Sequence, residues 1–168
     1  MLEDATSSAP MSAATGQKKF TVVLLTIYSV ENAGIRYVSA ALQRAGFDTH
    51  IIFLRDWVHN RLEMPSETDI QMAIDIIKDK QADLVGLGFM SSLFSMAKKV
   101  TEDIQTACPD IPIMWGGIHP TSVPEECIPH CDFVCVGEGE QAAIDLCEAL
   151  RDEGDVTNIP NIWAKVED

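Results

Sequence analysis

The chain has no long apolar run. None approaches the roughly 20 residues that a membrane-spanning helix needs. The longest, Phe20–Ile27, is broken by threonines and has the length of a strand. Positive charge is also scarce: 12 Lys and Arg stand against 26 Asp and Glu, a net charge of −14. That balance argues against a nucleic-acid or anionic-membrane surface, because both need cations to neutralise phosphate. The N-terminus lacks the basic start and apolar centre of a secretory signal, so a cytoplasmic location with reduced cysteines is expected.

Cysteine is sparse and odd in number, with five residues and no disulfide-like framework. Cys127, Cys131 and Cys135 are spaced four apart and invite a metal reading. A structural zinc site wants tighter pairs and a fourth ligand. An iron–sulfur cluster needs converging thiolates. Cys135 falls in an apolar, strand-like run, where a thiol packs as a small hydrophobe. Core packing is therefore the reading taken for all three.

What is present is a core. Apolar residues make up 46% of 168 positions, enough for one domain. Residues 1–18 are Ser-, Ala- and Thr-rich and are expected to form a disordered leader before a domain spanning 19–168. From Phe20 onward, apolar strand-like runs alternate with segments of helical spacing. Strands are expected at Phe20–Tyr28, Thr49–Leu54, Asp83–Phe89, Ile111–Trp115 and Asp132–Val136. Helices are expected at Asn32–Ala45, Glu67–Lys80, Leu93–Ala107 and Glu140–Arg151, with a short imperfect one at Val123–Pro129. The connection Arg55–Pro65 offers Trp57 and Leu62 for packing, and one more short strand is expected near Ile162–Val166. This alternation predicts an α/β fold: a doubly wound, Rossmann-like parallel sheet of about five strands in the flavodoxin-like order 2-1-3-4-5, with helices on both faces.

In such sheets the ligand crevice lies outside the carboxyl ends of the strands. The unusual residues fall in the turns that meet there. Gly116-Gly117 removes two side chains where strand four leaves the sheet, and His119-Pro120-Thr121 stiffens the exit. Gly137-Glu138-Gly139-Glu140 clears space after strand five and precedes a helix N-terminus. Each glycine pair alone is ordinary turn chemistry; together they point to a slot for a flat group. Tyr28-Ser29 and Phe89-Met90-Ser91 lack the acidic cluster of a phosphoacceptor domain. Gly86-x-Gly88 lies inside a strand and is no dinucleotide fingerprint. No Ser-His-Asp or Cys-His arrangement is legible at that edge, so no catalytic residue is assigned. His119, the only histidine in the crevice, reads as a hydrogen-bonded structural residue.

The run from Trp115 to Glu126, W-G-G-I-H-P-T-S-V-P-E-E, followed by D-F-V-C-V-G-E-G-E from Asp132 to Glu140, resembles the N-terminal cobalamin-binding domain of cobalamin-dependent radical S-adenosylmethionine enzymes. The likeness covers about residues 20–161. In the wider cobalamin-binding fold, D-x-H-x-x-G follows strand one, S-x-L strand three and G-G strand four. Ser91-Ser92-Leu93 and Gly116-Gly117 match the last two elements. The first is degraded: Ser29-Val30-Glu31-Asn32-Ala33-Gly34 keeps the glycine but has Ser for Asp and Glu for His. The resemblance thus implies cobalamin bound base-off, its cobalt held through the corrin with no histidine from the protein.

It also implies roles. Ser91, or failing that Ser92, would hydrogen-bond the benzimidazole nitrogen. Gly116 and Gly117 would let the ring pass the sheet. Ile118, His119 and Pro120 would line the tail on one side, with Val136, Gly137, Glu138, Gly139 and Glu140 on the other. Ser29, Val30, Glu31, Asn32, Gly34 and Ile35 would lie beneath the corrin, with Met90 and Leu93 beside it. Met96 is expected to pack in the helix core. No C-x₃-C-x₂-C motif occurs, so the [4Fe-4S] cluster and S-adenosylmethionine of such an enzyme would belong to a catalytic domain in cis or in trans, with a methyltransferase the expected parent. Two other readings stay open: a stand-alone cobalamin carrier or sensor, and a flavodoxin-like domain with another ligand.

Overall fold

A computed structural model of the chain describes residues 19–28, 31–55 and 62–165. The expected leader at 1–18, the site candidates Ser29 and Val30, Trp57, and the end of the last strand at Val166 lie outside the described residues. The strands are β1 (Thr21–Thr26), β2 (Asp48–Phe53), β3 (Leu84–Gly88), β4 (Ile113–Gly116), β5 (Phe133–Cys135) and β6 (Ile162–Ala164). The helices are α1 (Ala33–Arg44), α2 (Glu67–Asp79), α3 (Phe94–Ala107), α4 (Ile118–Ser122), α5 (Pro124–Cys127) and α6 (Gly139–Arg151). They build one six-stranded sheet of order β2-β1-β3-β4-β5-β6, parallel except for β6, which runs antiparallel to β5.

The period-two pattern of each strand divides the core. Val23, Leu25, Val85, Leu87, Phe89, Ile113, Trp115 and Val134 face α2 and α3. Val22, Leu24, Leu84, Met114, Phe133 and Cys135 face α1 and α6. Both sets are buried, as expected of a parallel sheet covered on both faces. Trp115 is fully buried, and its indole N–H donates to Thr101 Oγ1 on α3 at 2.9 Å. That bond satisfies the one polar atom of the largest core side chain. At the opposite edge, Asp83 and Asp132 accept backbone N–H bonds from Thr21 and Ile113 at 2.8 and 2.7 Å.

Boundaries differ from the sequence reading where local hydrogen bonding decides. The helix expected from Leu93 begins with a 3₁₀ turn at Ser91–Leu93 before α3. The expected turn after Gly117 is the helical turn α4, and α5 runs on into a 3₁₀ turn at Ile128–His130. Leu62 is 42% exposed and adds little packing.

All five cysteines are free and buried. Cys127 and Cys131 pack on the α2–α3 side and Cys135 on the α1–α6 side, so the sheet separates Cys135 from the other two and the three cannot share an ion. Burial pushes the thiols of Cys131 and Cys147 up to about 12. An unfolded thiol titrates near 8.5. Above that pH the unfolded chain therefore holds fewer protons than the folded one, and stability falls as pH rises towards 12. Thermal denaturation between pH 7 and 10 is expected to show a falling midpoint above pH 8.5, together with slow labelling of the native thiols.

Candidate functional site

A cavity of about 400 Å³ opens at the carboxyl edge of the sheet and runs between the sheet and helices α1 and α6. Strand register explains the space. Thr26, Gly88 and Gly116 lie side by side in the last row of β1, β3 and β4. These residues share the α1–α6 face, and two of the three have no side chain. One row deeper stand Leu24, Gly86 and Met114. There the flanking Leu24 and Met114 side chains close the floor: a Cβ added at Gly86 would sit 2.7 Å from Leu24 Cδ2 and 3.7 Å from Met114 Cε. Asn32, Gly34, Ile35 and Val38 of the α1 end form one wall. Cys135, Gly137, Glu138, Gly139 and Glu140 form the other. Gly139 also lets α6 approach α1, since a Cβ there would lie 3.1 Å from Val38 Cγ2.

The polar groups lining the interior are committed to one another. Asn32 caps α1 by accepting the Ile35 N–H on Oδ1, and its Nδ2 donates to Thr26 Oγ1, each at 3.2 Å. One side chain thus fixes the exit of β1 and the start of α1. Burial pushes the Cys135 thiol up to about 11, so this wall residue stays neutral. The charges lie towards the rim, on Glu138 and Glu140. Met90 and Ile118, 47% and 68% exposed, put apolar surface at the mouth.

Of the residues expected at the site, Asn32, Gly34, Ile35, Met90, Leu93, Gly116, Gly117, Ile118, Gly137, Glu138, Gly139 and Glu140 line this cavity. Glu31 and Ser92 are exposed nearby, while Val136 is half-buried and hydrogen-bonded to the Asn161 carbonyl at 2.8 Å. His119 and Pro120 are buried in α4, behind the cavity wall, and His119 Nδ1 meets Ser91 Oγ at 3.1 Å. Met96 is buried in the core with α3. Leu24, Thr26, Val38, Gly86, Gly88 and Met114 also line the cavity and escaped the sequence reading. Their signal was Gly86-x-Gly88, two glycines on one face of a strand.

Two ties hold the carboxyl edge of the sheet. The Gly137 N–H donates to Thr121 Oγ1 at 3.0 Å, joining the turns after β4 and β5. Tyr28, at φ 57°, accepts the Glu63 N–H on its hydroxyl at 2.9 Å and so fastens the end of the β2–α2 connection over the end of β1, on the α2–α3 side of the sheet. Thr121→Val keeps the shape and removes one of these acceptors. Because both groups are exposed, a loss of about 0.5–1 kcal/mol is expected in urea unfolding, with faster amide exchange at Gly137.

Residues 20–147 match the family model of the B12 binding domain. The chain belongs to that family. Solved structures agree with this B12-binding fold. The radical S-adenosylmethionine methyltransferase TsrM from Kitasatospora setae, with cobalamin and a [4Fe-4S] cluster bound, superposes with a TM-score of 0.72 at 18% identity over 89% of this chain. A second TsrM structure, with tryptophan substrate and an S-adenosylmethionine analogue, gives 0.72 at 17% identity over 87% of the chain. The present chain spans only 28% of the length of the TsrM chain. A cobalamin-binding protein from Desulfitobacterium hafniense DCB-2 gives 0.59 at 15% identity, covering 79% of this chain and 60% of that one. No curated protein matches the sequence. Among the described residues no helix is long and apolar enough to cross a membrane.

Proposed function

We propose that this B12-binding domain holds cobalamin base-off, without a protein histidine on cobalt, as the cofactor module of a cytoplasmic radical S-adenosylmethionine methyltransferase. The carrying observation is the cavity: apolar, floored by Leu24 and Met114, and opened by Gly88 and Gly116 at the carboxyl edge. Its size lies within the range of ligand pockets, and its shape suits a flat, methylated bicyclic base. A base lodged there is withdrawn from cobalt. Among the described residues no histidine lines the cavity, and the nearest sequence candidate, His119, is turned to Ser91.

The residues then divide the work. Gly88 and Gly116 admit the tail, Ile35 and Val38 cover it from α1, and Gly139 with Glu140 covers it from α6. Met90, Leu93 and Ile118 present apolar surface at the mouth, and the exposed Glu31 carboxylate offers an acceptor to a corrin amide or a water. The bound corrinoid supplies the methyl-transfer chemistry, while the protein orients it and sets its ligation. An iron–sulfur domain in cis or in trans completes the enzyme in this reading, and no catalytic residue is assigned to the present chain.

The test is direct. Purified chain is incubated with hydroxocobalamin and desalted, and its visible spectrum is recorded. Retained colour with a base-off spectrum is expected; a colourless protein rejects the proposal. After reduction to cob(II)alamin, electron paramagnetic resonance should show no axial-nitrogen superhyperfine splitting. A nitrogen triplet would mean that the base, or an imidazole, still occupies the lower face.

A further inference from the structure

His119 is buried to 8% exposure, and its Nε2 has no hydrogen-bond partner among the described residues. The ring packs against Phe94 and Phe89, with centroids 4.6 and 5.8 Å away and interplanar angles of 48° and 37°. These tilted arrangements do not set the ring edge square onto either aromatic face, so an N–H···π contact is a poor substitute for a hydrogen bond. The other nitrogen, Nδ1, lies 3.1 Å from Ser91 Oγ. A neutral imidazole has one N–H, and two tautomers compete. With the proton on Nε2, a buried donor is left unpaired while Ser91 spends its only hydrogen on Nδ1. With the proton on Nδ1, the orphan is a lone pair, and Ser91 accepts. Buried unpaired donors are the rarer and costlier defect. The second arrangement wins.

Its consequence reaches the cavity mouth. Ser91 is exposed, in the 3₁₀ turn between Met90 and Leu93, which both line the cavity. Its oxygen already accepts from His119, so its own O–H remains free to donate. We propose that His119 is a positioning residue that fixes Ser91 as a hydrogen-bond donor, selecting a corrinoid whose base carries an acceptor nitrogen over one whose base is a phenol. The second half rests on the cobalamin reading above; the tautomer does not.

Two measurements test it. Nitrogen-15 spectra of histidine-labelled, ligand-free chain, with His119 assigned by its absence in His119→Phe, should show Nδ1 protonated and Nε2 bare. An Nε2-protonated ring overturns the proposal whatever the ligand. Binding titrations then compare cobalamin with a phenolyl cobamide. Ser91→Ala and His119→Phe are each expected to weaken cobalamin about fivefold, the worth of roughly one hydrogen bond, and to leave phenolyl cobamide binding unaltered. The double variant should lose no more than either single one, because both remove the same bond. Equal losses for both corrinoids, or additive losses, overturn it. Should His119→Phe disturb packing, the exposed Ser91→Ala and the nitrogen-15 tautomer still decide. Failure of the unaltered chain to bind either corrinoid rejects the cobalamin reading and with it the selectivity, while the tautomer remains a separate result.

Discussion

A Gly88→Leu chain is expected to fold and yet bind cobalamin about 100-fold more weakly, since about 3 kcal/mol of overpacking suffices for that. Gly88 is where space and tolerance coincide. A Cβ there meets nothing closer than 3.9 Å, to Asn32 Nδ2 and Ile35 Cδ1. The backbone is that of an ordinary strand, and leucine's apolar branch points into an apolar cavity. The side chain therefore costs the fold little and fills the row between Thr26 and Gly116 through which the proposed base must pass. Gly86 is different, because an added Cβ there presses on the end of the Leu24 side chain, which must give way. Titration followed by visible absorbance, with near-ultraviolet circular dichroism of buried Trp115 as the folding control, separates the outcomes. A folded Gly88→Leu chain with unchanged affinity would mean that the tail enters elsewhere.

The alternation of strands and helices was legible because the central strands are buried on both faces and each long helix has one apolar side. Even the short antiparallel β6 left a trace at Ile162–Ala164. The cavity was only partly legible. Turn glycines stand out in a sequence, so Gly116, Gly117, Gly137 and Gly139 could be read. The floor could not, because Leu24 and Met114 look like any core residue until the register sets them beside Gly86. Gly86 and Gly88 were visible but were weighed only as a phosphate-binding fingerprint. Their common side of β3 carries the information, and it acquires meaning once Gly116 is known to be the neighbour of Gly88. His119 illustrates the opposite limit. Its hydrogen-bonded, structural character was readable, but the bond to Ser91 and the unpaired Nε2 depend on how α4 folds back beside the 3₁₀ turn.

Gly117 carries a prediction of a different kind. The sequence assigns it to the passage of the ring, in which case a small substitution should be mild and a branched one severe. The geometry makes the first added carbon the problem. Gly117 sits at φ 99°, and a Cβ would fall 2.8 Å from the Phe89 carbonyl oxygen and 3.0 Å from the Phe89 nitrogen. Both atoms are backbone, and both are in use: the Phe89 N–H donates to the Gly116 carbonyl at 3.1 Å, and the Phe89 carbonyl accepts from His119 at 3.4 Å. Relief requires moving the end of β3 away from β4. Backbone strain of this kind costs about 1–3 kcal/mol, and loosening the two hydrogen bonds adds about 1 kcal/mol each. Gly117→Ala and Gly117→Val should therefore both lower the melting temperature by about 10 °C, taking 2–4 °C per kcal/mol for a domain of this size. They should do so in the ligand-free chain, where a blocked passage would cost nothing. Cobalamin affinity should fall in both variants, because Met90, Leu93 and the Ser91–His119 pair follow directly from the displaced Phe89 and Gly117. A stable Gly117→Ala chain with normal affinity, beside a Gly117→Val chain that only fails to bind, would restore the simpler role of a doorway.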